Sequence, residues 1–208
     1  MADITQALNG ALREQGLGSL TVAEVRILIG RGVQVLIERA LARLGGRAAR
    51  ADAARVLAGF HAQYARLEER GELTARLYPG VASGLSALHA AGLKIAVVTN
   101  KGGDAARGLL AARQLAPWIE AVVGGDGGLA RKPHPAPLLA ACAQLGVEPA
   151  HALMVGDSLV DVEAARAAGL AVVCVPYGYN EGRDPRALPC DAIIESVAEL
   201  PALLGVVP

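Results

Sequence analysis

At 208 residues the chain can bury one substantial core, or a core carrying a smaller inserted domain, and a hydrophobic content of 53% excludes a disordered chain. Lysine plus arginine (20) balance aspartate plus glutamate (20), so no net field gathers nucleic acid or an anionic membrane, and any bound anion must be held by local groups.

The opening residues, MADITQALNGALREQ, show no basic stretch followed by an apolar one, and no later run approaches a membrane span, so a soluble cytoplasmic protein is expected. From Asp3 to about Gly71 apolar residues recur at helical spacing: Ile4, Leu8 and Leu12, then Val25, Ile27 and Leu28, then Val33, Val35, Leu36, Leu41 and Leu44. Thr21 and Glu24 have capping-box spacing and open a second helix, and Gly30-Arg31-Gly32 punctuates before a third. A long helix is expected over Arg47 to Arg70, with Val56, Leu57, Phe60, Tyr64 and Leu67 down one side. Residues 1–78 therefore read as a helical bundle domain of about four helices.

After Tyr78-Pro79-Gly80 helix and short apolar strand alternate. Helices are expected at Val81–Ala91, Asp104–Gln114, Pro137–Leu145, Leu159–Ala168 and Val197–Leu204, and strands at Lys94–Asn100, Ala121–Gly124, Ala152–Asp157 and Ala171–Pro176. Such alternation implies an α/β fold over residues 79–208, a parallel sheet with helices on both faces. Cys142, Cys174 and Cys190 are odd in number and lack metal-type spacing, which points to free thiols in a reducing compartment.

Ligands of such sheets gather at the carboxyl ends of the strands. The run Leu153-Met154-Val155 ends in Gly156, which lets the backbone turn, and leaves Asp157 at that edge. Asp161 follows in the first turn of the next helix, so both carboxylates can face one crevice as ligands for a hard cation such as Mg²⁺. The competing reading makes Asp157 a helix cap, which accounts for one aspartate but not for the second. The strand at Lys94 delivers Thr99, Asn100 and Lys101, and the strand at Ala121 delivers Gly124, Gly125 and Asp126. A hydroxyl, amides at a helix start and a lysine are the parts of a phosphate site. Lys132 lies in Arg131-Lys-Pro-His-Pro-Ala-Pro137, where prolines hold a stiff extended path from which it can project into the crevice; otherwise it is a solvated loop lysine. His134 stands alone and reads as a loop residue, and Arg31 either points toward a substrate or is a surface charge.

Together, VVTNK, the Lys132-Pro133 loop and GDSLVDVEAARAAG resemble the second, third and fourth motifs of the haloacid dehalogenase superfamily of phosphohydrolases. The helical N-terminal part, TNKGGDAARGLL and VPYGYNEG are most similar to its phosphoglycolate phosphatase group, and the likeness spans essentially the whole chain. The resemblance implies a Rossmann-like core with a helical cap that closes over the site. It also implies Mg²⁺-dependent hydrolysis of a small phosphate monoester such as 2-phosphoglycolate, in which an aspartate attacks phosphorus, a second aspartate two residues on is acid and base, and water clears the aspartyl-phosphate. Thr99 would then bind phosphoryl oxygens and Lys132 offset charge, both as catalytic groups, with Asn100, Lys101 and Arg31 in substrate binding. Asp157 would hold Mg²⁺ with support from Asp161, and the protein would be a monomer or homodimer without nucleic-acid or membrane partners.

The family's first motif, a strand ending in Asp-x-Asp-Gly-Thr, should precede the cap, and no stretch of the chain carries it. Asp3-Ile4 reads as the start of the first cap helix, which places the nucleophile about ten residues upstream of Met1, given a short strand-to-helix loop. The first core strand would then be absent, an interior one between those at Lys94 and Ala152, opening two ladders of backbone hydrogen bonds. On this reading the chain as given is inactive and its completed form is a phosphatase. The alternatives are a non-catalytic relative that binds a phosphorylated ligand or a partner, and a haloacid dehalogenase proper, which would need the same aspartate.

Overall fold

The computed structural model describes residues 1–206, and the chain divides into two compact units, Met1–Arg76 and Leu77–Pro208. The first is all helix: α1 (Ala2–Glu14), α2 (Val22–Leu28), α3 (Val33–Leu44) and α4 (Ala53–Glu69). Leu8, Leu12, Val25, Ile37, Val56 and Phe60 meet in its core, as the helical spacing of these apolar residues requires. The expected capping box closes α2: Glu24 N–H donates to Thr21 Oγ1 at 3.3 Å and Thr21 N–H to Glu24 Oε2 at 2.9 Å. The helix expected from Arg47 begins later, at Ala53, because Asp52 Oδ1 takes the amides of Ala54 and Arg55 and so fixes the N-terminus there. Ahead of it, Ala48–Arg50 forms only a single 3₁₀ turn.

Asp3 ties the two ends of this unit together. Its buried carboxylate accepts from Thr74 N–H (2.9 Å), Thr74 Oγ1 (2.6 Å) and Ala75 N–H (3.1 Å). Burial works against ionisation of Asp3, but these hydrogen bonds outweigh it and hold the carboxyl below its ordinary 3.8. Asp3→Ala should cost about 2 kcal/mol in urea unfolding at neutral pH, since it strips charge-assisted bonds. A carboxyl depressed in the folded state stabilises above the unfolded value and loses that contribution as pH falls through the folded one. The gap between variant and parent should therefore shrink below about pH 4; a gap that is flat with pH would count against the assignment.

The second unit alternates as expected: α5 (Val81–Ala90), β1 (Ala96–Val98), α6 (Gly103–Ala112), β2 (Ala121–Val123), α7 (Ala136–Leu145), β3 (Leu153–Gly156), α8 (Leu159–Ala168), β4 (Ala171–Cys174), β5 (Ala192–Ile193) and α9 (Leu200–Leu203). The strands are shorter than the apolar runs that announced them, and β5 had no periodicity to reveal it. All pairing is parallel, but in two pieces: β1 with β2 in register Ala96↔Ala121, and β3–β4–β5 in registers Leu153↔Ala171 and Val173↔Ala192. The pieces share their helical layers. On one face Val98 and Met154 pack against Leu138, Cys142, Val162 and Ala165 of α7 and α8; on the other Ile95, Leu153 and Val155 pack with Leu88 and Leu200. Among the described residues no ladder joins β1 to β3, so each presents an unpaired edge, and the residues of both strands are only half-buried.

Candidate active site

The carboxyl ends of β1, β2 and β3 bring most of the polar candidates into one hydrogen-bonded block. Lys132 is its hub. Far from being a solvated loop lysine, it is buried, and its ammonium donates to the Val98 carbonyl at 2.6 Å and to Asp161 Oδ1 at 2.8 Å. The loop that carries it turns instead of running extended: His134 N–H donates back to the Arg131 carbonyl at 2.9 Å, and the Lys132–Pro133 peptide is cis. His134 in turn accepts from Ala136 N–H at 3.1 Å, which makes it a local acceptor at the start of α7. Two of the three ammonium protons of Lys132 are thus committed and one is left to face an anion.

Asp161 is fully engaged by protein groups. Oδ1 takes Lys132, and Oδ2 takes Ser158 Oγ at 2.6 Å and Asp157 N–H at 3.2 Å. Burial penalises its charge, but the Lys132 ammonium and these donors outweigh that and keep it ionised below the ordinary carboxylate range. Asp157 is the opposite case. Burial first, then the neighbouring Asp161 charge, push it up to about 6, and the Tyr179 amide, 2.9 Å from Oδ2, offsets only part. A half-buried carboxylate that is costly to ionise fits a site for a divalent cation, which would relieve both causes. Among the described residues no three His, Cys, Asp or Glu side chains form a ready cage.

Gly156 does not turn the chain, as the sequence suggested; it is the last residue of β3, and a Cβ there would lie 2.4 Å from Asp161 Cβ. Strand end and helix start can approach only because that side chain is absent. Periodicity also gave no sign of the loop after β4. Gly178, at φ +117°, lies so close to Asp157 that a Cβ there would overlap its carboxylate, and Asn180 Oδ1 accepts from Leu159 N–H at 3.1 Å at the start of α8. The run YGYN was the signal; its contact with Asp157 was not readable from spacing.

Thr99 follows β1 directly. Its N–H donates to the Val123 carbonyl at 3.0 Å, and its Oγ1 accepts from Lys101 N–H at 3.1 Å, which leaves the hydroxyl proton to donate. Asn100 donates Nδ2 to the Lys132 carbonyl at 3.0 Å, so its side chain straps the two loops together. Lys101 completes the turn into α6, and Arg31 belongs to the first unit.

The profile of the family described as haloacid dehalogenase-like hydrolase matches residues 2–175. A phosphoglycolate phosphatase of Nitrosospira multiformis is 41% identical over 203 residues, which cover 97% of this chain and 88% of that protein. One of Rhodospirillum rubrum is 45% identical over 207 residues, 97% of this chain and 84% of that protein. Among solved structures, a predicted phosphoglycolate phosphatase from Haemophilus somnus superposes with a TM-score of 0.88 at 32% identity, over 98% of this chain and 91% of that one. CbbY from Rhodobacter sphaeroides in complex with phosphate gives 0.80 at 25% identity, over 96% and 89%.

Proposed function

The chain belongs to the haloacid dehalogenase-like hydrolases, and on that premise we propose that it forms the phosphate- and metal-binding body of a Mg²⁺-dependent phosphatase acting on a small phosphate monoester such as 2-phosphoglycolate. The observation that supports this reading is that Lys132 is hydrogen-bonded both to the carbonyl of Val98, the residue before Thr99, and to Asp161, which also takes the Asp157 amide. Helical residues 1–78 are assigned as the cap and residues 79–208 as the core.

In the reaction, Thr99 donates its hydroxyl proton to a phosphoryl oxygen, and Lys101 adds charge at the same turn. Lys132 offsets the charge of nucleophile and phosphate with its remaining proton, while Asp161 and the Asn100 strap hold it in place. Asp157, with support from Asp161, would hold Mg²⁺, which when bound neutralises phosphoryl charge. By resemblance to the family the nucleophile would be the first aspartate of an Asp-x-Asp strand, a motif that the 208 residues do not contain. Unpaired edges on β1 and β3, beneath shared helical layers, support a parallel strand between them.

Substrate choice is assigned in part to Arg31, whose guanidinium would pair with a substrate carboxylate. A panel of phosphate monoesters with and without a carboxylate, offered with Mg²⁺ to the chain completed by an Asp-x-Asp strand, tests this. 2-Phosphoglycolate should rank first, and Arg31→Ala should raise KM about tenfold for carboxylate-bearing esters only, the loss of one charged pair. An equal change for all esters removes Arg31 from specificity, and hydrolysis of none removes the phosphatase assignment.

A further inference from the structure

The turn Thr99–Gly103, which on the phosphatase reading grips the phosphoryl group, needs something to fix its shape, and α6 does not supply it. That helix starts at Gly103, and its N-cap, Gly102, has no side chain with which to take the first amides. The acceptor comes from 23 residues away: Gly103 N–H donates to Asp126 Oδ1 at 2.8 Å. The segment after β2 then keys into the turn along its length. Gly125 N–H donates to the Lys101 carbonyl at 2.8 Å. A Cβ on Gly125 would stand 2.5 Å from the Asn100 carbonyl oxygen, and one on Gly124 2.3 Å from Gly103 N, so both approaches require glycine. Arg131 Nε closes the block by donating to the Gly125 carbonyl at 2.8 Å.

We propose that Asp126 is a positioning residue for phosphate: its carboxylate takes the place an anion would have at the start of α6, and through Gly103 it holds Thr99–Lys101 in the conformation that receives the phosphoryl group. The proposal rests on the phosphatase reading. The seat for phosphate is then the Thr99 hydroxyl and the Lys101 side of the turn, not the first amide of α6.

Charge and hydrogen bond make opposite predictions. An aspartate beside a phosphate repels it, so Coulomb's law alone has Asp126→Ala bind inorganic phosphate more tightly. Loss of positioning has it bind more weakly.

The test is a titration of the 208-residue chain with inorganic phosphate, followed by the amide resonances of Thr99, Asn100 and Lys101. Asp126→Ala should weaken the apparent affinity about tenfold, the worth of one charge-assisted hydrogen bond, and speed hydrogen exchange at Gly103. Asp126→Asn, whose side-chain oxygen can still accept from Gly103 N–H, should restore binding to the parental value or better. Asp52→Ala, which removes the cap of α4 in the other unit, should lower thermal stability and leave phosphate binding unchanged. Should Asp126→Ala not fold, Gly125→Ala serves in its place, because its methyl displaces the Asn100 carbonyl, and it should weaken binding as well. Parental or tighter affinity in the alanine variants, or an asparagine variant as weak as Asp126→Ala, overturns the proposal. If phosphate fails to move these resonances in the parent chain, the phosphatase reading falls and takes the proposal with it.

Discussion

Joining a parallel strand that ends in Asp-x-Asp ahead of Met1 is expected to raise hydrolysis of 2-phosphoglycolate by a factor of about 10⁴ or more, the scale set by removing a catalytic nucleophile from other hydrolases. The hydroxyl of Thr99, the ammonium of Lys132 and the carboxylate of Asp157 are each assigned to binding phosphate or metal, not to attack on phosphorus. Asp161 is bound on both oxygens, and Asp157 is assigned to the metal. The strand would also satisfy the open edges of β1 and β3, so two effects must be separated. The same extension with Asn-x-Asn should raise the unfolding midpoint as much and leave turnover at the level of the short chain. Substantial turnover by the short chain would show that the nucleophile has been misassigned.

Removing Lys132 should damage the fold as well as the site. Lys132→Met leaves Asp161, whose side chain is only 8% exposed, buried without its counter-charge, at a cost of about 3–5 kcal/mol. Phosphate affinity should fall with it. The pair Lys132→Met and Asp161→Asn removes both charges while the asparagine oxygen still accepts from Ser158 Oγ. It should recover much of the loss, with a coupling of about 2 kcal/mol or more in a double-mutant cycle. Stability would return and phosphate binding would not, because the ammonium is gone. If the single changes simply add, the buried pair is not what holds Lys132 in place.

How much of this could be read from the chain depends on the range of the contacts involved. Helix and strand order followed from local periodicity, and the ends of β1 and β3 pointed to Thr99 and Asp157 because strand direction fixes where a run delivers its last residues. The break before α4 was equally local, written in Asp52 as a cap. What periodicity could not show lies across longer separations. Lys132 reaches Asp161 over 29 residues, Asp126 reaches Gly103 over 23 and Tyr179 reaches Asp157 over 22, and each such pair is decided by how strands stack, not by neighbours along the chain. Asp161 illustrates the difference. Its spacing from Asp157 suggested a second metal ligand, but could not show that its oxygens also take Lys132, Ser158 and the Asp157 amide.

The most direct test is to grow crystals of this chain with Mg²⁺ and inorganic phosphate and locate both. One phosphate is expected within hydrogen-bond reach of Thr99 Oγ1 and Lys132 Nζ, with Mg²⁺ on Asp157 beside it. Phosphate and Mg²⁺ bound on separate faces, or neither touching these side chains, would contradict this expectation.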